Sequence, residues 1–64
     1  MSWYRAYFLN ASRRISDVEE FASASDAQAL DRAQALLTDR GHFMGVELWQ
    51  GGRPVYLYPQ GVAA

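Results

Sequence analysis

One helical pattern in the middle of the chain limits most strongly how this sequence can fold. Ser25 lies three residues before Gln28, a capping-box spacing that predicts the first turn of a helix. The apolar residues that follow recur with a helical period. They are Ala29, Leu30, Ala33, Leu36 and Leu37. Gly41 favours the left-handed conformation that ends a helix. The pattern therefore predicts one amphipathic helix over Asp26–Arg40, with a strand-forming segment on each side.

The segment before the helix predicts two antiparallel strands joined by a turn. Residues 2–9 are rich in aromatic side chains, which favour strands. Residues 14–21 predict a weaker strand, because their apolar side chains are three positions apart and a strand repeats every two. An extra residue near Ser16-Asp17, forming a β-bulge, would bring Ile15 and Val18 onto the same face.

The segment after the helix predicts a tight hairpin. The two-residue loop Gly51-Gly52 suits positive φ angles and separates strands at 43–50 and 53–58. It predicts a register with three opposed pairs, namely Gln50 with Arg53, Leu48 with Val55, and Val46 with Leu57. In that register five apolar residues face the helix, which are Met44, Val46, Leu48, Val55 and Leu57. Pro54 has no N–H, which predicts that the last strand lies at a sheet edge or has its proline at a non-bonded position.

These elements predict an α+β fold of order ββαββ, an antiparallel four-stranded sheet with one helix packed on one face. A length of 64 residues allows one domain. We expect this domain to span residues 1–59, and residues 60–64 to form a frayed C-terminal tail. The helix, at about 22 Å, matches the roughly 23 Å of a seven-residue strand. The order of the strands is left open.

Composition argues against the common catalytic and metal sites. The chain has no cysteine, which excludes disulfides and thiolate ligands. His42 is the only histidine, so the usual nucleophile–base pairs cannot form. Asp17, Glu19 and Glu20 are potential ligands for hard cations, but a solvated strand surface explains them better. We therefore expect a protein that is not an enzyme, with no cofactor and no metal.

Charge and hydropathy limit the partners and the location. A net charge of -1 argues against a general nucleic-acid binder, which needs a basic face to displace counterions from phosphates. No run approaches the roughly 20 apolar residues that span a bilayer. Arg5 interrupts the only apolar stretch near the start, so we expect no signal peptide. The expected location is the cytoplasm, without a membrane partner.

The aromatic content predicts an exposed face. Phe, Trp and Tyr make up 14% of the chain. A helix about 10–12 Å wide cannot cover a four-stranded sheet roughly 19 Å wide. Arg5 is the residue of the first strand that is least suited to the core. We therefore expect the face of the sheet that carries Arg5 to be the one that the helix does not cover. The uncovered face would then present Trp3, Arg5, Tyr7, Trp49, Tyr56 and Tyr58.

Such a face predicts an interaction module. An apolar patch on the order of several hundred Å² marks a binding surface, and Tyr, Trp and Arg dominate interface energetics. A chain this short also gains little net stability from its own core. We expect it to form a homodimer or to dock another protein through this face or a sheet edge. Three alternatives stay open: exposed tyrosines without a role, single-stranded nucleic acid stacked on the rings, and a small molecule held between the sheets of a dimer.

Three motifs carry a resemblance. The chain opens with Tyr-Arg-x-Tyr-Phe-Leu at 4–9, continues through an alanine-rich helix at 27–37, and closes with Glu-Leu-Trp-x-Gly-x-Arg-x-Val at 47–55. In these it resembles a group of short uncharacterised bacterial proteins. The motifs are structural, consisting of strand aromatics, a helix stripe and a hairpin turn. The resemblance implies a compact bacterial domain and carries over no activity, cofactor or site residue.

Overall fold

The structure, a computed structural model, describes residues 1–58 apart from the side chain of Tyr58. It contains β1 (Ser2–Leu9), β2 (Ile15–Ser23), α1 (Asp26–Arg40), β3 (Gly45–Gln50) and β4 (Arg53–Tyr58). The strands form one sheet in the order β2-β1-β3-β4, and every neighbouring pair is antiparallel. The predicted α+β fold of order ββαββ is confirmed. The predicted tail at 60–64 lies outside the described residues.

The strand order places one strand from each hairpin at the centre of the sheet. β1 pairs with β2 on one side and with β3 on the other. Because β1 is antiparallel to both, β2 and β3 run in the same direction, and α1 connects them across β1. β2 and β4 are the two edges. This confirms the prediction from Pro54, whose missing N–H is tolerated at a sheet edge.

The helix begins and ends where the sequence predicts. Ser25 accepts a hydrogen bond from the backbone N–H of Gln28 at 3.2 Å. Gly41 adopts a φ of 75°, and its N–H donates to the carbonyl of Leu37 at 3.2 Å. Ala29 and Ala33 are fully buried. Their small side chains let the helix backbone approach the sheet closely.

The core lies between α1 and one face of the sheet, which we call the covered face. Its buried members are Tyr4, Ala6, Phe8, Phe21, Ala29, Ala33, Val46 and Leu48. Phe8, Val46 and Leu48 are the largest fully buried side chains. The ring of Phe43 packs against that of Phe8, with centroids 5.4 Å apart. The central strands thus supply the largest part of the packing.

The first hairpin contains the predicted bulge. Phe8 pairs with Asp17 and Leu9 pairs with Ile15, which leaves Ser16 as the extra residue. Val18 pairs with Tyr7. Tyr7 and Leu9 lie on one face of β1, so their partners Ile15 and Val18 share that face, as predicted.

The second hairpin contains a bulge that the sequence analysis did not anticipate. Gln50 pairs with Arg53 as expected, but Leu48 then pairs with Tyr56, and Val46 with Tyr58. Val55 is the extra residue, so the predicted pairs of Val55 and Leu57 are wrong. The shift lies next to Pro54, which cannot donate a ladder hydrogen bond and is accommodated by irregular pairing. Beyond it, Tyr56 and Leu57 each lie on the face opposite to the predicted one.

Two apolar residues expected to face the helix are exposed instead. Leu57 pairs with Glu47 on the opposite face and is 38% exposed. Met44 lies just before β3, which begins at Gly45, and is 61% exposed. Its backbone N–H donates to the carbonyl of Leu9 at 2.8 Å. This contact holds the start of β3 beside the end of β1.

Candidate interaction face of the sheet

The face of the sheet opposite α1 carries the candidate site, and we call it the open face. Strand alternation and the pairing register place on it Leu9, which is buried, and Ala22 and Pro54, which are exposed. The same pattern places nine further side chains there. They are Trp3, Arg5 and Tyr7 of β1, Ile15, Val18 and Glu20 of β2, Glu47 and Trp49 of β3, and Leu57 of β4. All nine are exposed or half-buried. No element of residues 1–58 packs over them.

Large apolar side chains on the open face meet solvent. Trp3 is 70% exposed, Ile15 57% and Val18 46%. Leu57 adds a fourth such side chain at 38%. Single exposed apolar residues are ordinary in folded proteins, but a contiguous group of them indicates a binding surface.

Arg5 occupies the middle of this face. It pairs with Glu20 on β2 and with Trp49 on β3. Its Nε donates to a carboxylate oxygen of Glu20 at 2.9 Å, and its Nη2 donates to the same oxygen. Its Nη1 lies 3.4 Å from the hydroxyl of Tyr7. Hydrogen bonds to Tyr7 and Glu20 raise the pKa of Arg5, so the guanidinium is a fixed positive charge among the rings.

The second tryptophan is held by its own strand. Trp49 Nε1 donates to Glu47 Oε1 at 3.2 Å. The two residues are two positions apart, which puts them on the same face of β3. Trp49 is half-buried, in contrast with Trp3. Trp49 is therefore the more constrained of the two rings.

The open face contains two depressions. A depression of about 390 Å³ lies between the two tryptophans and is bounded by Arg5, Tyr7 and Glu20. A second, of about 360 Å³, lies on the other side of Arg5 and reaches Val18. Both open to solvent across the sheet, a shape that accepts protruding side chains.

The structure brings together four of the six predicted site residues. Trp3, Arg5, Tyr7 and Trp49 surround the larger depression. The predicted position of Tyr56 is wrong, because the bulge at Val55 turns it toward the helix, where it packs against the core. The backbone of Tyr58 pairs with Val46, and its side chain lies outside the described residues.

Five of those nine side chains of the open face were not assigned to the site from sequence. They are Ile15, Val18, Glu20, Glu47 and Leu57. The predicted bulge already placed Ile15 and Val18 together, so only the register of the first hairpin was missing to put them beside Tyr7. Leu57 could not have been found, because the register shift at Val55 has no clear sequence signal beyond the neighbouring proline.

Three acidic side chains outside the open face are paired with arginines around the helix. Arg40, near the end of α1, donates to Glu19 at 2.8 Å and also to Asp17. Asp26, at the start of α1, accepts from Arg53 at 3.0 and 3.2 Å and from the hydroxyl of Tyr4 at 2.7 Å. These pairs join both ends of the helix to the sheet.

The charges around Asp26 shift its ionisation. Hydrogen bonds from Arg53 and then from Tyr4 lower the pKa of Asp26. The same carboxylate raises the pKa of Tyr4, because loss of the hydroxyl proton would remove their hydrogen bond. Within residues 1–58, no three acidic or histidine side chains are placed to hold a metal ion together.

The single helix of the described residues is too short and too polar to cross a bilayer.

Comparison with known proteins identifies no family. Because no family is identified, the resemblance to a group of short bacterial proteins remains a prediction based on three motifs. No protein-family model, curated protein or solved structure matches this chain.

Proposed function

We propose that this protein is a small non-enzymatic interaction module that docks a protein, either another copy of itself or a different chain, through the open face of its sheet. The observation that carries the proposal is the exposure of Trp3, 70% of whose surface meets solvent. This ring lies in a face that also exposes Ile15 and Val18 and has Arg5 at its centre.

The energetics of Trp3 support this role. An aromatic side chain can bury about 150–250 Å², and burial is worth roughly 25 cal/mol per Å² of apolar area. Covering the exposed part of the Trp3 ring would therefore contribute about 3 kcal/mol to an association. A contribution of that size is typical of the few residues that dominate a protein interface.

The charges on the open face favour a protein over nucleic acid. Glu20 and Glu47 lie among the aromatic rings and would repel phosphates. Arg5 already donates to Glu20, so its charge is partly neutralised within the chain. A protein surface with alternating polar and apolar groups fits this pattern better than a uniformly negative strand.

The pairing of three acidic side chains supports the non-enzymatic part of the proposal. Asp17 and Glu19 bind Arg40, while Asp26 binds Arg53. A general base needs a carboxylate that is free to accept a proton from a substrate. These carboxylates instead connect secondary-structure elements.

The test compares Trp3→Ser with Met44→Ser. Both residues are large, apolar and exposed, but Met44 precedes β3 and lies outside the open face. Sedimentation at micromolar concentrations measures self-association, and affinity capture measures binding of other proteins. We expect Trp3→Ser to weaken binding at least tenfold while Met44→Ser leaves it unchanged. Far-UV circular dichroism should be the same for both variants and the wild type.

Two outcomes would contradict the proposal. If Trp3→Ser binds as well as the wild type, the open face is not the docking surface. If the wild type instead retains single-stranded oligonucleotides in a salt-sensitive manner, and Trp3→Ser loses this retention, the face serves nucleic acid.

A further inference from the structure

We infer that the occupant of the open face is a second copy of this chain, packed sheet against sheet about a two-fold axis, with Arg5 of each copy reaching acidic side chains of the other. This inference rests on the proposed function and narrows it to one partner. It is carried by the charge pattern of the open face, by the state of the two sheet edges and by the size of the face.

The charge pattern of the open face is self-complementary. Arg5 is central, Glu20 lies beside it on β2, and Glu47 lies opposite Tyr7 on β3. A two-fold interface brings the same patch of both copies together, so each contact occurs twice. The Arg5 guanidinium has five N–H donors, and Glu20 and Tyr7 do not use all of them. The remaining donors can bind a carboxylate of the second copy.

The position of the Arg5–Glu20 pair also favours a sheet-to-sheet contact. The other ion pairs lie around the helix, where they connect it to the sheet. Arg5 and Glu20 instead connect neighbouring strands that are already joined by backbone hydrogen bonds. Both side chains are about half-exposed, at 51% and 55%, so the pair adds little to the isolated chain. Its charges remain accessible to an opposing surface.

Both sheet edges are poorly suited to the alternative, a continuous sheet through edge pairing. β4 contains Pro54, which cannot donate, and a bulge at Val55. β2 contains a bulge at Ser16 and the charged side chains Asp17 and Glu19. Proline, bulges and charges are the devices that prevent edge-to-edge pairing. The face is therefore the better surface for self-association.

The dimensions of the molecule allow a stable interface. It measures 32 × 27 Å across and 16 Å in thickness. The open face is smaller than this outline, because four strands make a sheet roughly 19 Å wide and the nine residues of β2 span about 30 Å. Such a face can bury on the order of 500 Å² per copy, which reaches the roughly 1,000 Å² in total that a specific interface needs. Two such sheets about 10 Å apart would form a sandwich with a helix on each outer side.

The test uses two variants with opposite charge on the open face. Arg5→Glu makes the face acidic, and the double variant Glu20→Arg, Glu47→Arg makes it basic. Each variant alone should dissociate at least tenfold more readily than the wild type, because like charges meet across the axis. An equimolar mixture should form a heterodimer in sedimentation and native mass spectrometry. Asp31→Arg, an exposed change on α1, is the control and should dimerise like the wild type.

Several results would overturn the inference. It fails if each charge variant dimerises like the wild type, or if the mixture does not associate. It also fails if the wild type is a monomer at 100 micromolar. In that case, binding of a different protein that depends on Trp3 would leave the proposed function standing, whereas the absence of any Trp3-dependent binding would contradict both.

A dilution series followed by NMR covers the case in which a charge variant does not fold. On dissociation of the wild-type protein, the amide signals of Trp3, Arg5, Tyr7 and Trp49 should shift, while those of α1 should not. Shifts confined to β2 or β4 residues at one edge would instead place the contact there and overturn the inference.

Discussion

Successive side chains of β1 point to opposite faces of the sheet, and the two sets differ sharply in their exposure to solvent. Tyr4, Ala6 and Phe8 are buried under the helix. Their neighbours Trp3 and Arg5 are exposed on the open face. Hydrophobicity alone does not explain this choice, because tryptophan is more apolar than alanine. The difference indicates that close packing against the helix, and not hydrophobicity alone, determines which side chains of β1 lie on the covered face.

That fit depends on small residues. Ala6 lies under α1, whose own contact residues Ala29 and Ala33 are equally small and fully buried. A tryptophan at position 6 would hold the helix away from the sheet, since well-packed cores do not absorb a large added volume without strain. The bulkiest ring of β1 is therefore excluded from the core and remains available to an external partner.

The charges on the two faces differ in the same way. On the covered side, Arg40 lies at the perimeter, is only 24% exposed, and binds two acidic side chains. On the open face, Arg5 lies at the centre and is 51% exposed. A pair at the perimeter joins the helix to the sheet, whereas a central pair on an uncovered face is positioned to meet another surface. The following changes test this contrast.

The largest expected effect comes from Leu48→Ala compared with its neighbour Trp49→Ser. Leu48 is fully buried on the covered face, so its truncation should lower the free energy of unfolding by about 2–5 kcal/mol. Trp49 lies on the open face, so Trp49→Ser should affect association more than folding. Urea titration followed by circular dichroism measures the stability of both. Global unfolding by Trp49→Ser would place that ring in the core and contradict the contrast.

The second comparison uses Tyr56→Ser and Leu57→Ser, which test the bulge at Val55. Tyr56 packs against the core and Leu57 does not, so Tyr56→Ser should destabilise by about 1–3 kcal/mol. Leu57→Ser should change stability by less than about 1 kcal/mol. Thermal unfolding distinguishes the two. The reverse order of effects would mean that the hairpin has the regular register expected from its two-residue loop.

This hairpin also shows how far the sequence alone can lead. Local chemistry predicted the helix limits from Ser25 and Gly41, and irregular spacing predicted the bulge at Ser16, because both signals lie within a few neighbouring residues. The shift beside Pro54 was missed, since the loop predicts a register but not how a proline disturbs it two positions later. The strand order, which assembles the open face, depends on the β1–β3 pairing between segments more than 30 residues apart.

The third comparison uses Arg40→Gln and Arg5→Gln. Arg40 binds Asp17 and Glu19 and lies 4.8 Å from the ring centre of Phe8. Its replacement should lower the free energy of unfolding by about 1 kcal/mol through lost charge-assisted and cation–π contacts. Arg5→Gln should leave the stability of the dissociated chain close to that of the wild type and weaken self-association. Equal losses of stability in dilute solution would show that the central pair, too, serves the fold.

The smallest effect is expected in the pH dependence of stability, which tests the contacts of Asp26 at the start of the helix. Arg53 and Tyr4 lower the pKa of Asp26 below its usual value of 3.8 in the folded chain. Stabilisation by this carboxylate is therefore fully present above about pH 4 and is lost as the pH falls further, because the unfolded chain takes up the proton first. Asp26→Asn should melt at a lower temperature than the wild type at pH 7, and this difference should shrink toward pH 2. Since Asp26 touches the covered side only, the monomer–dimer equilibrium at pH 7 should be the same for Asp26→Asn as for the wild type. A constant difference in melting temperature across this range would mean that Asp26 stabilises the chain through contacts that an amide also makes, such as its hydrogen bond from Tyr4.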